Sequence, residues 1–199
     1  MRKPGALANL PAYDRRRTPA KPDPADLPRA LVRGQGRRFV ARLTRNSPRT
    51  LLDIGCGWGE LMLRVLAAAP DATGLGLDTD EGDLARGRNN ARARGLAGRV
   101  TFVRESGVGT SRGPADLVLC LGASHALTEV EPPGHTVPAL AELRRLVNPG
   151  GRVLLGEGFW HRTPTEADLA GMWPGITAGE FGDLAGLLGL AYLTLVPVG

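Results

Sequence analysis

Three glycines at alternate positions, Gly55, Gly57 and Gly59, separate the apolar run Leu51-Leu52-Asp53-Ile54 from a helical run that opens at Glu60. Glycine accepts positive φ and carries no Cβ, so a turn of this kind can bend sharply and lie against a ligand. The helix that follows adds free N–H groups and the positive end of its dipole. Asp53 places a carboxylate at the end of the preceding strand, and a second acid, Asp78, ends the run Gly74-Leu75-Gly76-Leu77. From there an acid reaches the ribose hydroxyls of an adenosine-containing ligand lying over the first turn, accepting two hydrogen bonds side by side. Asp78 also has a purely structural reading, as the cap of the helix near Glu81, although Asp80 is better placed for that work.

The spacing separates two kinds of ligand. A dinucleotide site prefers G-x-G-x-x-G, its last glycine admitting close helix packing. Here the pattern is G-x-G-x-G behind an acid. Farther along, Asn148-Pro149-Gly150-Gly151 leads into the apolar run Arg152-Val153-Leu154-Leu155. Taken in order, these landmarks resemble those of class I S-adenosylmethionine-dependent methyltransferases, from about residue 30 to the end.

That resemblance implies S-adenosylmethionine as cofactor, with S-adenosylhomocysteine as product. It implies that Asp53, Gly55, Cys56, Gly57 and Gly59 lie against the methionine part and ribose, that Asp78 holds the ribose hydroxyls, and that Thr79 sits near the adenine. The family often has Gly-Asp after the third strand, beside the adenine amine; this chain has Glu105-Ser106 there. Leu121 and Gly122 emerge after the fourth strand, where the methyl group points.

On the acceptor side the candidate is His125, just beyond the fourth strand. An imidazole there takes a proton from a hydroxyl or amine acceptor, or merely lines the pocket or caps the next helix. Glu157, Trp160 and His161, past the fifth strand, form a candidate substrate-binding group, although a solvated loop fits the same residues. His135 follows Pro132-Pro133-Gly134 and reads as exposed. No His, Cys and Asp spacing suits a metal, so none is expected.

Short apolar runs alternating with helical stretches are what must hold these residues. Strands are predicted over Thr50–Ile54, Ala72–Leu77, Val100–Arg104, Asp116–Leu121, Arg152–Gly156 and Leu190–Val196. Helices are predicted over Glu60–Ala68, Glu81–Arg94, Val137–Val147 and Ala178–Leu188. An amphipathic helix is expected over residues 28–46, where Leu31, Val32, Phe39, Val40 and Leu43 recur between arginines. Alternation of this kind predicts an α/β fold, a doubly wound and mostly parallel sheet with helices on both faces, the Rossmann-like methyltransferase fold of the resemblance. Residues 28–199 then make one domain behind an arm, residues 1–27, rich in Pro and charge. The family sheet ends on a seventh, antiparallel strand. A chain stopping after its sixth leaves a sheet edge open, through which two copies could pair.

The charge is uneven. Residues 1–50 carry 13 Lys and Arg against 3 Asp and Glu, whereas the remaining 149 carry 12 against 17. A basic arm raises a nucleic-acid methyltransferase as an alternative, but the arm lacks aromatics at stacking spacing. Leu121-Gly122-Ala123-Ser124 also stands where base-methylating enzymes resemble one another in an Asn/Asp-Pro-Pro-aromatic clamp. A small-molecule acceptor is the expected partner; a non-catalytic module that only binds the cofactor is a further alternative. No apolar run reaches the ~18 residues of a membrane span, and no secretory leader is recognisable. Two cysteines, Cys56 and Cys120, make no disulfide framework, so the expected compartment is the reducing cytoplasm.

Overall fold

A computed structural model describes residues 36–131, 134–156 and 194–197. Strands β1 (Thr50–Ile54), β2 (Thr73–Asp78), β3 (Val100–Arg104), β4 (Ala115–Leu121), β5 (Val147–Gly156) and β6 (Thr194–Pro197) form one sheet in the order β3-β2-β1-β4-β5-β6. The first five are parallel, and β6 runs antiparallel to β5. The chain winds outward from β1 to β3, then crosses to β4 on the other side of β1. The order therefore reverses between β1 and β4, where parallel α/β sheets open a crevice at their carboxyl edge.

Alternation of strand side chains builds the two cores. Leu51, Leu117, Leu119 and Leu154 face one side with Met62, Leu63 and Leu66 of α2 (Glu60–Ala68), Leu84 and Ala91 of α3 (Glu81–Ala93), and Leu43 of α1 (Gly36–Thr44). Leu52, Ile54, Val118, Cys120 and Val153 face the other side with Leu127 and with Ala139, Leu143 and Leu146 of α4 (Thr136–Leu146). Strands covered on both faces have no solvated side to mark with polar residues, which is why they read as continuous apolar runs. Each large side chain fully buried in these layers contributes about 1.5–3 kcal/mol.

Most boundaries agree with the sequence to within a residue or two, and three differences have physical causes. The sequence predicts a reversal between helix and strand at residues 148–151. Instead α4 passes directly into β5 at Val147, and residues 148–151 form a bulge. Val147 pairs with Ala115 and Arg152 with Leu117, a five-residue advance opposite a two-residue one. Gly150, at φ +73°, supplies the left-handed step. Secondly, Ser124–Leu127 forms a 3-10 turn that no periodicity announces. Thirdly, the last described strand is itself antiparallel and lies beside β5. The segment expected as the sixth strand is therefore the antiparallel one, and among the described residues no parallel sixth strand borders β5.

Where a helix is expected over residues 28–46, α1 spans Gly36–Thr44; residues 28–35, the arm at 1–27 and the helix expected over Ala178–Leu188 lie outside the described residues.

Candidate active site

Strand register brings the turns after β1 and β2 to one edge. Ile54 is level with Leu77, and beyond the ladder Cys56 N–H donates to the Leu77 carbonyl at 3.0 Å. Glu105 N–H likewise donates to the Asp78 carbonyl at 3.0 Å. The peptides around Cys56, Asp78 and Glu105 thus form a continuous shelf across β1, β2 and β3.

The glycine turn is left-handed at all three glycines, with φ of +62°, +53° and +66° at Gly55, Gly57 and Gly59. Two of them have a second reason to lack a side chain. A Cβ on Gly55 would overlap the methyl group of Ala123, and one on Gly59 would come within 2.6 Å of the Phe102 ring. Gly55 thereby seats the turn after β4 against the turn after β1. Gly59 precedes α2 with no side-chain cap, and the helix begins instead with an acid, Glu60, which favours its positive end. Glu60 also meets Arg64 and Arg94, each at 2.7 Å. Burial works against the Glu60 charge, but the hydrogen bonds from Arg94 and Arg64 prevail and hold its carboxyl below the usual range.

Asp78 joins the turns. One of its carboxylate oxygens accepts from Gly57 N–H at 2.7 Å and the other from Asp80 N–H at 2.9 Å. Helix α3 is capped by Asp80, whose side chain accepts from Asp83 N–H, which leaves Asp78 to the glycine turn. Asp53, at the end of β1, is only 6% exposed. Burial first, and the Asp78 charge second, push its pKa from 3.8 to about 8. Burial thus keeps the Asp53 carboxyl mostly protonated near neutral pH, and a positive charge placed beside it would favour the carboxylate. Trp58, half-buried within the turn, carries the Arg86 guanidinium 4.3 Å from its ring centroid, a stacking contact between the turn and α3.

The other candidates divide. Thr79 is exposed beside Asp78. Both Glu105 oxygens are already engaged, one by the Thr110 hydroxyl at 2.9 Å and the other by Arg112 at 2.8 Å, and these contacts hold its carboxyl below the usual range. The Ser106 hydroxyl accepts from Val108 N–H at 3.2 Å. Leu121 and Gly122 stand exposed at the end of β4, where Gly122 N–H donates to the Gly156 carbonyl at 2.6 Å. His125 is exposed on the 3-10 turn. Cys56 is half-buried and Cys120 buried, and neither is in a disulfide. Glu157, Trp160 and His161 lie outside the described residues.

His135 corrects the sequence reading. It is buried, not exposed, and its Nε2 lies 3.0 Å from the Ser124 hydroxyl, itself 1% exposed. A Pro-Pro-Gly stretch reads as surface turn, but the next residue is drawn inward because it begins α4 over the 3-10 turn. Sequence carries no signal for this pair, since eleven residues separate partners that share no helical or strand period.

Comparison with known proteins agrees with this fold. Residues 52–153, from β1 through most of β5, match the family described as a methyltransferase domain. The chain is similar to the uncharacterised protein YjhP of Escherichia coli K12, 30% identical over 152 residues, which are 75% of this chain and 58% of that protein. It is also similar to a demethylmenaquinone methyltransferase of Thermus thermophilus, 31% identical over 121 residues, covering 61% and 52% of the two chains. Among solved structures, a SAM-dependent methyltransferase from Geobacter sulfurreducens in complex with S-adenosyl-L-homocysteine aligns with a TM-score of 0.63 at 25% identity. That alignment covers 82% of this chain and 69% of the other. The chain spans about half the length of the curated relatives it matches.

Proposed function

The chain belongs to the class I S-adenosylmethionine-dependent methyltransferase family, and from that premise we propose that it transfers the methyl group of S-adenosylmethionine to an O, N or S atom of a small-molecule acceptor. The observation that carries this reading is the joint between Gly57 and Asp78, which fixes a left-handed glycine turn and a carboxylate on one sheet edge.

The sulfonium methyl of the cofactor supplies the reactivity; the acceptor atom bonds to that carbon as the carbon–sulfur bond breaks, and sulfur keeps the electron pair. The protein's task is alignment and exclusion of water. Gly55, Cys56, Gly57 and Gly59 offer backbone to the methionine part and ribose. Asp53 meets the cationic end with a carboxyl that burial has made eager for a positive neighbour. Asp78 exchanges a backbone partner for ribose hydroxyls, or shares its oxygens between the two. Thr79 borders the adenine. With the Glu105 carboxylate held by Thr110 and Arg112, Ser106 and the backbone around it are left to meet the adenine amine.

Leu121, Gly122 and His125 border the methyl group on the acceptor side. His125 is the candidate to receive the acceptor's proton, because the end of β4 adjoins the switch point. Glu157, Trp160 and His161, which follow β5 in the sequence, are the candidate substrate-binding residues of this reading. The small-molecule acceptor is favoured because Leu121-Gly122-Ala123-Ser124 offers no stacking clamp for a nucleobase, and a relative is a demethylmenaquinone methyltransferase. A cytoplasmic setting fits the two cysteines outside any disulfide. No helix among the described residues is long and apolar enough to cross a membrane.

Calorimetric titration with S-adenosylmethionine and S-adenosylhomocysteine tests the cofactor. A metabolite-extract screen with a labelled methyl donor then seeks the acceptor. A folded protein that binds neither ligand would refute the reading; binding without transfer to any acceptor would favour the non-catalytic module.

A further inference from the structure

We propose that Ser124 and His135 form a positioning pair that holds the turn after β4 against the glycine turn and so sets affinity for the cofactor. The proposal rests on the cofactor reading above and adds two residues to it.

The chain of contacts is short. Gly55 has no room for a Cβ because the Ala123 methyl group occupies that place. Ala123 is followed at once by Ser124, the first residue of the 3-10 turn, whose hydroxyl meets His135 Nε2 at 3.0 Å. His135 stands at the N-cap of α4, and its carbonyl accepts from Ala139 N–H at 2.9 Å, which seats the residue on the helix. One hydrogen bond therefore links the start of a rigid helix to the residue next to the methyl group that backs Gly55. Gly122, at φ +65°, gives the turn its bend but no stiffness of its own.

A purely space-filling role does not account for the pair. Ser124 is 1% and His135 6% exposed, so both side chains are withdrawn from water. Apolar residues of similar size would fill that space without the cost of withdrawing two polar groups from water. His135 Nδ1 is moreover buried with no hydrogen-bond partner among the described residues, a further cost that packing alone would select against. What the polar pair supplies and an apolar one cannot is direction: a hydrogen bond admits one placement of the Ser124 hydroxyl and hence of the turn behind Gly55.

The test titrates S-adenosylhomocysteine into wild type and the variants Ser124→Ala, His135→Phe and His135→Gln, with circular dichroism confirming that each is folded. Loss of one directing hydrogen bond is expected to weaken binding about five- to tenfold in Ser124→Ala and His135→Phe. His135→Gln, which can keep an N–H near the place of Nε2, is expected to recover much of that loss. In wild type labelled with ¹⁵N-histidine, the His135 ring signals are expected to shift when the ligand is added.

Wild-type affinity in folded Ser124→Ala and His135→Phe would overturn the proposal, as would a Gln variant no better than Phe. Should Ser124→Ala and His135→Phe both fail to fold, ring signals unmoved by saturating ligand would overturn it alone. Absence of binding by wild type would instead overturn the cofactor reading, and this one with it.

Discussion

The carboxylate of Asp78 accepts a 2.7 Å hydrogen bond from the amide of Gly57, twenty-one residues earlier in the chain. The acid that the sequence marks for ribose thus also orders the turn on which the cofactor would lie. Both effects vanish together in Asp78→Ala. Hydrogen bonds to a charged group are worth about 1.5–3 kcal/mol, so affinity for S-adenosylhomocysteine should fall roughly ten- to a hundredfold. Calorimetry on the folded variant measures this, and an unchanged affinity would remove Asp78 from the site.

Gly55→Ala is expected to be worse than its size suggests. A left-handed φ costs a non-glycine residue about 1–2 kcal/mol, and here the added methyl group meets that of Ala123 as well. Adding Ala123→Gly removes the clash but not the backbone cost. The double variant should therefore recover part of the lost thermal stability, never all of it. Full recovery would show that the backbone at Gly55 is unstrained.

A residue's role is legible in the sequence when that role is local. The strands, the two cores and the glycine turn follow from short-range patterns: apolar runs, alternate glycines, an acid at a strand end. That Asp78 meets the glycine turn is legible because its distance from the turn is set by a helix and a strand of ordinary length. The place of His135 is not, because the pair with Ser124 depends on how α4 lies over the 3-10 turn. Glu105 also misleads, since its type suggests a ligand contact while Thr110 and Arg112 engage both oxygens. The antiparallel direction of β6 is likewise invisible in its four residues, for which neighbours decide direction.

Asp116 supports the opposite end of the sheet. Its side chain accepts from Arg49 N–H at 2.9 Å, Thr50 N–H at 3.1 Å and the Asn148 amide at 2.8 Å, pinning the start of β1 and the β5 bulge to β4. Burial opposes its charge, but the bonds from Asn148, Arg49 and Thr50 outweigh it and depress its pKa. Its contribution is therefore present above the ordinary value of 3.8 and is lost as pH falls through the native value. Asp116→Ala should lose roughly 1–2 kcal/mol at pH 7, the exposure of these groups holding the loss down. At low pH wild type and variant should converge in urea denaturation, and a gap that persisted there would exclude the charge as its source.

Asp53 has the opposite sign. Its native pKa of about 8 exceeds the ordinary 3.8, so between those values the folded protein holds a proton that the unfolded chain has released. The associated stability is complete below pH 3.8 and is lost progressively as pH rises to about 8, by at most about 1.4 kcal/mol per pH unit. Asp53→Asn cannot ionise, and should show a flatter stability profile and exceed wild type in alkaline denaturation experiments. A cationic cofactor beside Asp53 would favour the carboxylate, so binding of S-adenosylmethionine near pH 7 should release a proton that Asp53→Asn does not. Titrations in buffers of differing ionisation enthalpy count that proton directly. Equal proton release by wild type and Asp53→Asn would mean that the charge meeting the cofactor comes from elsewhere on the edge.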